Sequence, residues 1–353
     1  MSSAQIELAN PPRDAISAIK FAPGSSSRLL VSSWDKNVYL YDVEGQEGGA
    51  LIRSYEHRAP VLDVCFGAND NEAYTGGLDT DVRRLDLETG EQSILSSHDA
   101  GVNSVVYSRE TSTLISASWD GTLHIHSSDA PGNTPSTVPL PSKPYSLSIT
   151  PTKLVVAMAS RALHIYDLRA LALVSSQSAQ DPPNILEVEP WQRRESSLKF
   201  MTRAVACMPN DDGYASSSIE GRVAVEWFDS SAESQARKYA FKCHRQPSTT
   251  GDGVDVVYPV NALAFHPTHG SFASGGGDGI VALWDGVAKR RIRQYQRYPA
   301  SIAALAFSND GKYMAVASCP GFEDGQEDVD AEGKSKLYIR TLGENEAKGK
   351  GAK

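Results

Sequence analysis

Along this chain, short apolar runs recur in pairs separated by tight polar turns, and the clearest copy is GGGDGIVALWD, Gly275 to Asp285. Asp278-Gly279 supplies the positive backbone angles of a two-residue hairpin, so the stretch predicts strand, turn, strand. Comparable turns stand at Trp34-Asp35-Lys36 before VYLYD, Leu78-Asp79-Thr80 before VRRLD, Trp119-Asp120-Gly121 before TLHIH, and Ile219-Glu220-Gly221 before RVAVEWFD. A second series of apolar strands precedes the turns and ends at Phe21, Phe66, Tyr107, Thr150, Met208, Phe265 and Phe307. Their separations are about 45, 41, 43, 58, 57 and 42 residues, and a period of roughly 40 to 45 belongs to four-stranded propeller blades. Each unit must stack on a neighbour to bury its apolar face. The pattern predicts an all-β, seven-bladed propeller with insertions in the two long intervals.

Taken in order, the blades are expected over Ala15–Ser54, Val61–Leu95, Val102–Ser128, Tyr145–Ser175, Met201–Lys242, Pro259–Gln296 and Ile302–Leu342, one domain spanning 1–342. Blade four is degenerate, since ASRALHIYD has no Asp-Gly turn, and a polar insertion, Gln177–Phe200, follows it. A short strand candidate at Gln5–Ala9 is expected to complete the last blade, as ring closure commonly borrows such a strand. Blade seven carries an acidic loop, Gly321–Gly333. The Gly/Lys-rich tail, 343–353, is expected to be disordered.

Composition narrows the function. The formal charge is -9 with a pI near 5.4, so no global attraction to nucleic acid or acidic membranes is expected, and an anion site must be local. Cys65, Cys207, Cys243 and Cys319 lack paired spacing, which suits reduced thiols and gives no metal motif. With neither a signal peptide nor an apolar run long enough to span a bilayer, a soluble intracellular protein is expected. There is no G-x-S-x-G, H-E-x-x-H or G-x-x-x-x-G-K, so the chain reads as a non-enzyme without a cofactor.

In a meander of antiparallel strands, every turn named above faces one rim. Trp34 and Trp119 stand just before the turn Asp, where blade six has Gly277, so packing does not demand an aromatic there. Leu78 and Ile219 at the same position keep a plain core role open. Arg222 follows its turn directly and sits on the rim as well. Arg193, Arg194, Lys242, His244, Arg245 and Arg297 are expected on the same surface, where a basic cluster suits a carboxylate or phosphate partner. His57 and His98 are read as structural histidines bonded to turn acids, and Asp35, Asp79, Asp120 and Asp278 as turn locks. The run KRRIRQYQR, Lys289–Arg297, reads as charge protecting an outer strand edge.

Beyond generic WD repeats, QRRESSLKF (Gln192–Phe200), SSSIEGRVAVEWFD (Ser216–Asp229), YAFKCHR (Tyr239–Arg245), YPVNALAFHP (Tyr258–Pro267) and RYPASIAALAFSNDG (Arg297–Gly311) resemble the mitotic-checkpoint WD40 propeller family of the Bub type. SIEGRVA and FKCHR also resemble the sibling RNA-export propellers of the Rae type. The resemblance covers the whole chain and implies a spindle-assembly-checkpoint adaptor of the nucleus and mitotic kinetochore, monomeric within hetero-complexes. The partners it implies are a checkpoint kinase of the Bub type, that kinase's pseudokinase-like relative, and a phosphorylated kinetochore scaffold. The site residues it implies are Trp34 and Trp119 in a partner-peptide groove, Arg222 facing the peptide's glutamates, and Lys242 with Arg245 nearest a phosphothreonine.

Overall fold

Burial falls from the second strand of each blade outward, and the residues follow that gradient. Tyr313–Ser318 and Gly213–Ser218 are buried along their whole length, whereas the outer strand Arg290–Gln294 is exposed at four of its five positions. A strand covered on both faces reads as a continuous small-and-apolar run, while an outer strand needs only backbone partners and tolerates charge. The run of arginines in blade six thus lies where the sequence placed it, on an outer edge.

The computed structural model describes residues 5–44, 49–127, 134–177, 188–247, 253–321 and 334–349. Its seven four-stranded antiparallel sheets are the blades of a β-propeller, and they fall into two compact units. The unit Ser17–Glu195 holds blades one to four. In it Val82, Val102, Val105 and Leu114 close the contact between blades two and three, each burial worth about 1.5–3 kcal/mol relative to exposure. The other unit, Met1–Ile16 with Ser196–Lys353, holds blades five to seven, and Ala273, Leu283, Ile302 and Val316 close the contact between the last two. Within this unit Gln5–Glu7 pairs antiparallel with Lys336–Thr341 as the outer strand of blade seven.

Blade four departs from expectation. Leu168–Gln177 is a helix, and the outer strand comes from Gln192–Glu195, inside the segment read as an insertion. Asp167 starts the helix by accepting the N–H groups of Arg169 and Ala170, and Leu168 and Leu171, three apart, bury one face against blades three and four. The tail also differs, because 343–349 is folded. Ser271 Oγ donates to the Ala347 carbonyl at 2.6 Å, and Ala347 is buried. Residues 350–353 and the acidic loop 322–333 lie outside the described residues.

Candidate functional site

One backbone hydrogen bond recurs at the turns and defines the position of interest. The residue after the second strand donates its N–H to a carbonyl at the start of the same blade: Leu78 to Pro60, Trp119 to Gly101, Ala159 to Lys143, Ile219 to Met201, Gly277 to Pro259 and Cys319 to Ser301, at 2.8–3.2 Å. The bond survives with side chains from glycine to tryptophan. A bulky aromatic is therefore not a packing requirement of the turn.

In the unit Ser17–Glu195, Asp35 locks the blade-one turn by accepting from Asn37 N–H at 3.0 Å and Tyr39 Oη at 2.7 Å. The Trp34 side chain stands 41% exposed, and among the described residues it has no ring or cation partner. Trp119 is half-buried and sits in a small assembly. A Cβ on Gly101 would lie 3.1 Å from its ring and 3.2 Å from Leu78 Cδ2, and Lys143 Nζ stands 4.6 Å from the ring centroid. Gly101 is thus the floor on which Leu78 and Trp119 meet. Lys143 has no motif to announce it, and only the fold brings it here. Blade four closes its turn without Asp-Gly, by placing Ser160 and Arg161 in succession at φ 59° and 64°.

In the other unit, Arg222 and Lys242 are cross-strand partners in blade five, and Arg245 Nη2 donates to the Glu220 carbonyl at 2.9 Å. The three cations converge on one turn. Gly221 permits this, since its φ is 66° and a Cβ there would meet the Cys243 carbonyl oxygen at 2.7 Å. Arg222 Nε lies 3.3 Å from Glu220 Oε1, close enough to pair but not aligned for a hydrogen bond, and both atoms are buried and unsatisfied, as is Arg245 Nε. Lys242 is exposed and has no ion-pair partner among the described residues. Phe200, Met201 and Ile219 are exposed apolar neighbours in sequence and by the recurring bond; their exposure, not their spacing, marks them.

Three members of the expected basic cluster are placed differently. His244 is buried and structural: Nδ1 pairs with Asp278 Oδ1 at 2.8 Å and Nε2 with Ser274 Oγ at 2.8 Å. It repeats in blade six what His98, Asp120 and Ser116 do in blade three, at 3.0 and 2.9 Å. Burial lowers the pKa of His98 against the opposing pull of Asp120. His57 is structural too, but it bonds Thr75 Oγ1 and the Tyr55 carbonyl, because Arg83 takes Asp79. Arg193 and Arg194 belong to the outer strand of blade four and have local partners, Glu189 and Gln192. Arg297 stays exposed beside the Asp278-Gly279 turn.

Comparison with known proteins adds the following. A family model described as "WD domain, G-beta repeat" matches residues 90–127, from the outer strand of blade two through the third strand of blade three, and 255–285, which includes the first three strands of blade six. Across 352 residues, 99% of this chain and 96% of the relative, the chain is 45% identical to "Mitotic checkpoint protein BUB3.1" of Arabidopsis thaliana. It is 34% identical to "Spindle assembly checkpoint protein bub3" of Schizosaccharomyces pombe, over 94% of each chain. It is also 32% identical to the "Poly(A)+ RNA export protein" of that yeast, over 97% of this chain and 92% of the relative.

Proposed function

This chain belongs to the Bub3 family of mitotic checkpoint WD40 proteins, and from that membership we propose that it is a non-catalytic adaptor of the spindle-assembly checkpoint. Its task is recognition. It holds a short Glu-containing segment of a checkpoint kinase of the Bub type, and of that kinase's pseudokinase-like relative, and brings them to kinetochores from the nucleus. Arg222 receives the glutamate, since a guanidinium fork matches a carboxylate with two parallel hydrogen bonds. Trp34 and Trp119 supply aromatic anchors. Lys242 and Arg245 receive the phosphothreonine of a Met-Glu-Leu-Thr type repeat on the scaffold.

The observation that carries this reading is the state of Arg222. A half-buried guanidinium with an unsatisfied Nε, flanked by a second and third cation and by exposed apolar side chains, is costly to maintain without a partner. The non-catalytic role is supported by His98 and His244, each of which uses both ring nitrogens within its own fold. Calorimetry of a Glu-containing kinase peptide against wild type and Arg222→Glu tests the assignment. Unchanged affinity would sink it. The RNA-export role is the second reading, favoured by the 32% identity to that relative. Affinity capture from mitotic and interphase cells separates the two: checkpoint kinases in the first case, nuclear-pore components in the second.

A further inference from the structure

Within the unit that holds blades five to seven, a cavity of about 710 Å³ opens between Arg290–Gln294, the outer strand of blade six, and the last two strands of blade seven, Lys336–Thr341 and Gln5–Glu7. Three arginines line it, Arg293, Arg297 and Arg340, with Tyr295 and Tyr298. One acid enters. Glu346, on the folded turn at 343–349, places Oε1 at 2.9 Å from the Tyr295 hydroxyl, which donates to it, and at 3.4 and 3.6 Å from Arg340 Nε and Arg293 Nη1. Its Oε2 accepts from Gly343 N–H at 3.1 Å. Burial works against the charge, yet these donors together hold the Glu346 carboxyl below the ordinary range, so it enters as an anion.

A purely structural role, fastening the turn, accounts for Arg293, Arg340 and Tyr295. It leaves the rest of the cavity unexplained. Arg297 is exposed and makes no ion pair among the described residues, and the buried Tyr298 donates to Gln5 Oε1 at 2.9 Å rather than to Glu346. The lining keeps a clear positive excess on a chain whose formal charge is -9. Its volume falls in the range of about 300–1,000 Å³ typical of ligand clefts. Arg290–Gln294 and Gln5–Glu7 each pair on one side only, so a chain entering here can add backbone hydrogen bonds to a free sheet edge. Arginine side chains, free sheet edges and tyrosine walls together suit an acidic peptide better than a small anion.

We propose that this cavity docks an acidic peptide segment of a partner protein through Arg293, Arg297 and Arg340, with Glu346 occupying it in the free protein as an internal stand-in. The lining shares no residue with the Arg222 turn. The test therefore uses the full chain carrying Arg222→Glu, so that the turn does not contribute. The probe is a fluorescent acetylated hexapeptide, Glu-Glu-Leu-Glu-Glu-Leu, followed by anisotropy, with the Gln-Gln-Leu-Gln-Gln-Leu version as its neutral counterpart. Removing the resident competitor with Glu346→Gln should tighten binding about tenfold, because affinity scales with the fraction of open sites. Arg297→Glu should weaken it about tenfold, as expected for one charge-assisted contact. The neutral peptide should not bind. Equal binding of both peptides, indifference to Arg297→Glu, or no gain from Glu346→Gln in a chain with native circular dichroism overturns the proposal. Should Glu346→Gln unfold the chain, Arg297→Glu at its exposed site decides the question alone.

Discussion

The assembly around Trp119 and the assembly around Arg222 are built on the same hairpin of two different blades, one just before the turn and one just after it, and they work in opposite ways. The indole rests on Gly101, touches Leu78 through that floor and carries Lys143 over its face, so its neighbours are in place before any ligand arrives. The guanidinium is incomplete: its Nε and the nearest carboxylate oxygen are buried together without a hydrogen bond. Dispersion and π contacts have no strict direction and can be prearranged cheaply, whereas an unpaired buried donor retains a desolvation cost until an acceptor comes. The first assembly offers shape. The second offers a charge deficit, which discriminates between partners more sharply.

Each prediction presses on that contrast. Arg222→Glu should have the largest effect, about 3 kcal/mol or roughly a hundredfold loss in affinity for a Glu-containing peptide by calorimetry. Next comes Gly221→Ala, whose Cβ would meet the Cys243 carbonyl at φ 66°. It should cost about 2 kcal/mol of stability, read as a lowered Tm, and disperse the cations with it. Trp34→Ala and Trp119→Ala should each weaken peptide binding about tenfold, as aromatic anchors do. Only Trp119→Ala should also lower Tm, since Trp34 is exposed and has no ring partner among the described residues. The smallest effect is salt. Raising it to about 0.5 M should erode the advantage of the phosphorylated over the unphosphorylated repeat and leave the contribution of the indoles unchanged. A phosphorylated and an unphosphorylated repeat that bind equally at low salt would remove Lys242 and Arg245 from the site.

What could be read from the residues followed from what each signal depends on. Turn chemistry is local, so Asp35, Asp120 and Asp278 were legible as locks, and the period of the apolar runs marked seven blades. Blade four was misjudged at its outer strand because such a strand needs almost no apolar residues. QRRE qualifies by backbone pairing alone, while the more apolar LRALALV is a helix started by Asp167. His244 looked like a rim cation because its sequence neighbours are Lys242 and Arg245. Its true partners, Ser274 and Asp278, lie 30 and 34 residues away. Lys143 above Trp119 belongs to the same class, a long-range contact without a motif. The placing of Arg222, Lys242 and Arg245 at one end of blade five was legible from strand direction, since successive antiparallel strands return to the same rim.

Blade seven has a consequence for how the chain is made. Gln5 and Arg340, 335 residues apart, sit side by side in one sheet, so this sheet cannot be finished on the ribosome until Arg340 and the blades before it have emerged. Until then the leading segment waits without its partner, and Lys336–Thr341 exposes an edge if that segment is clipped or masked by a bulky fusion. A tag on the leading end should therefore be judged by aggregation during synthesis, and one on the trailing end by whether Glu346 still reaches Tyr295.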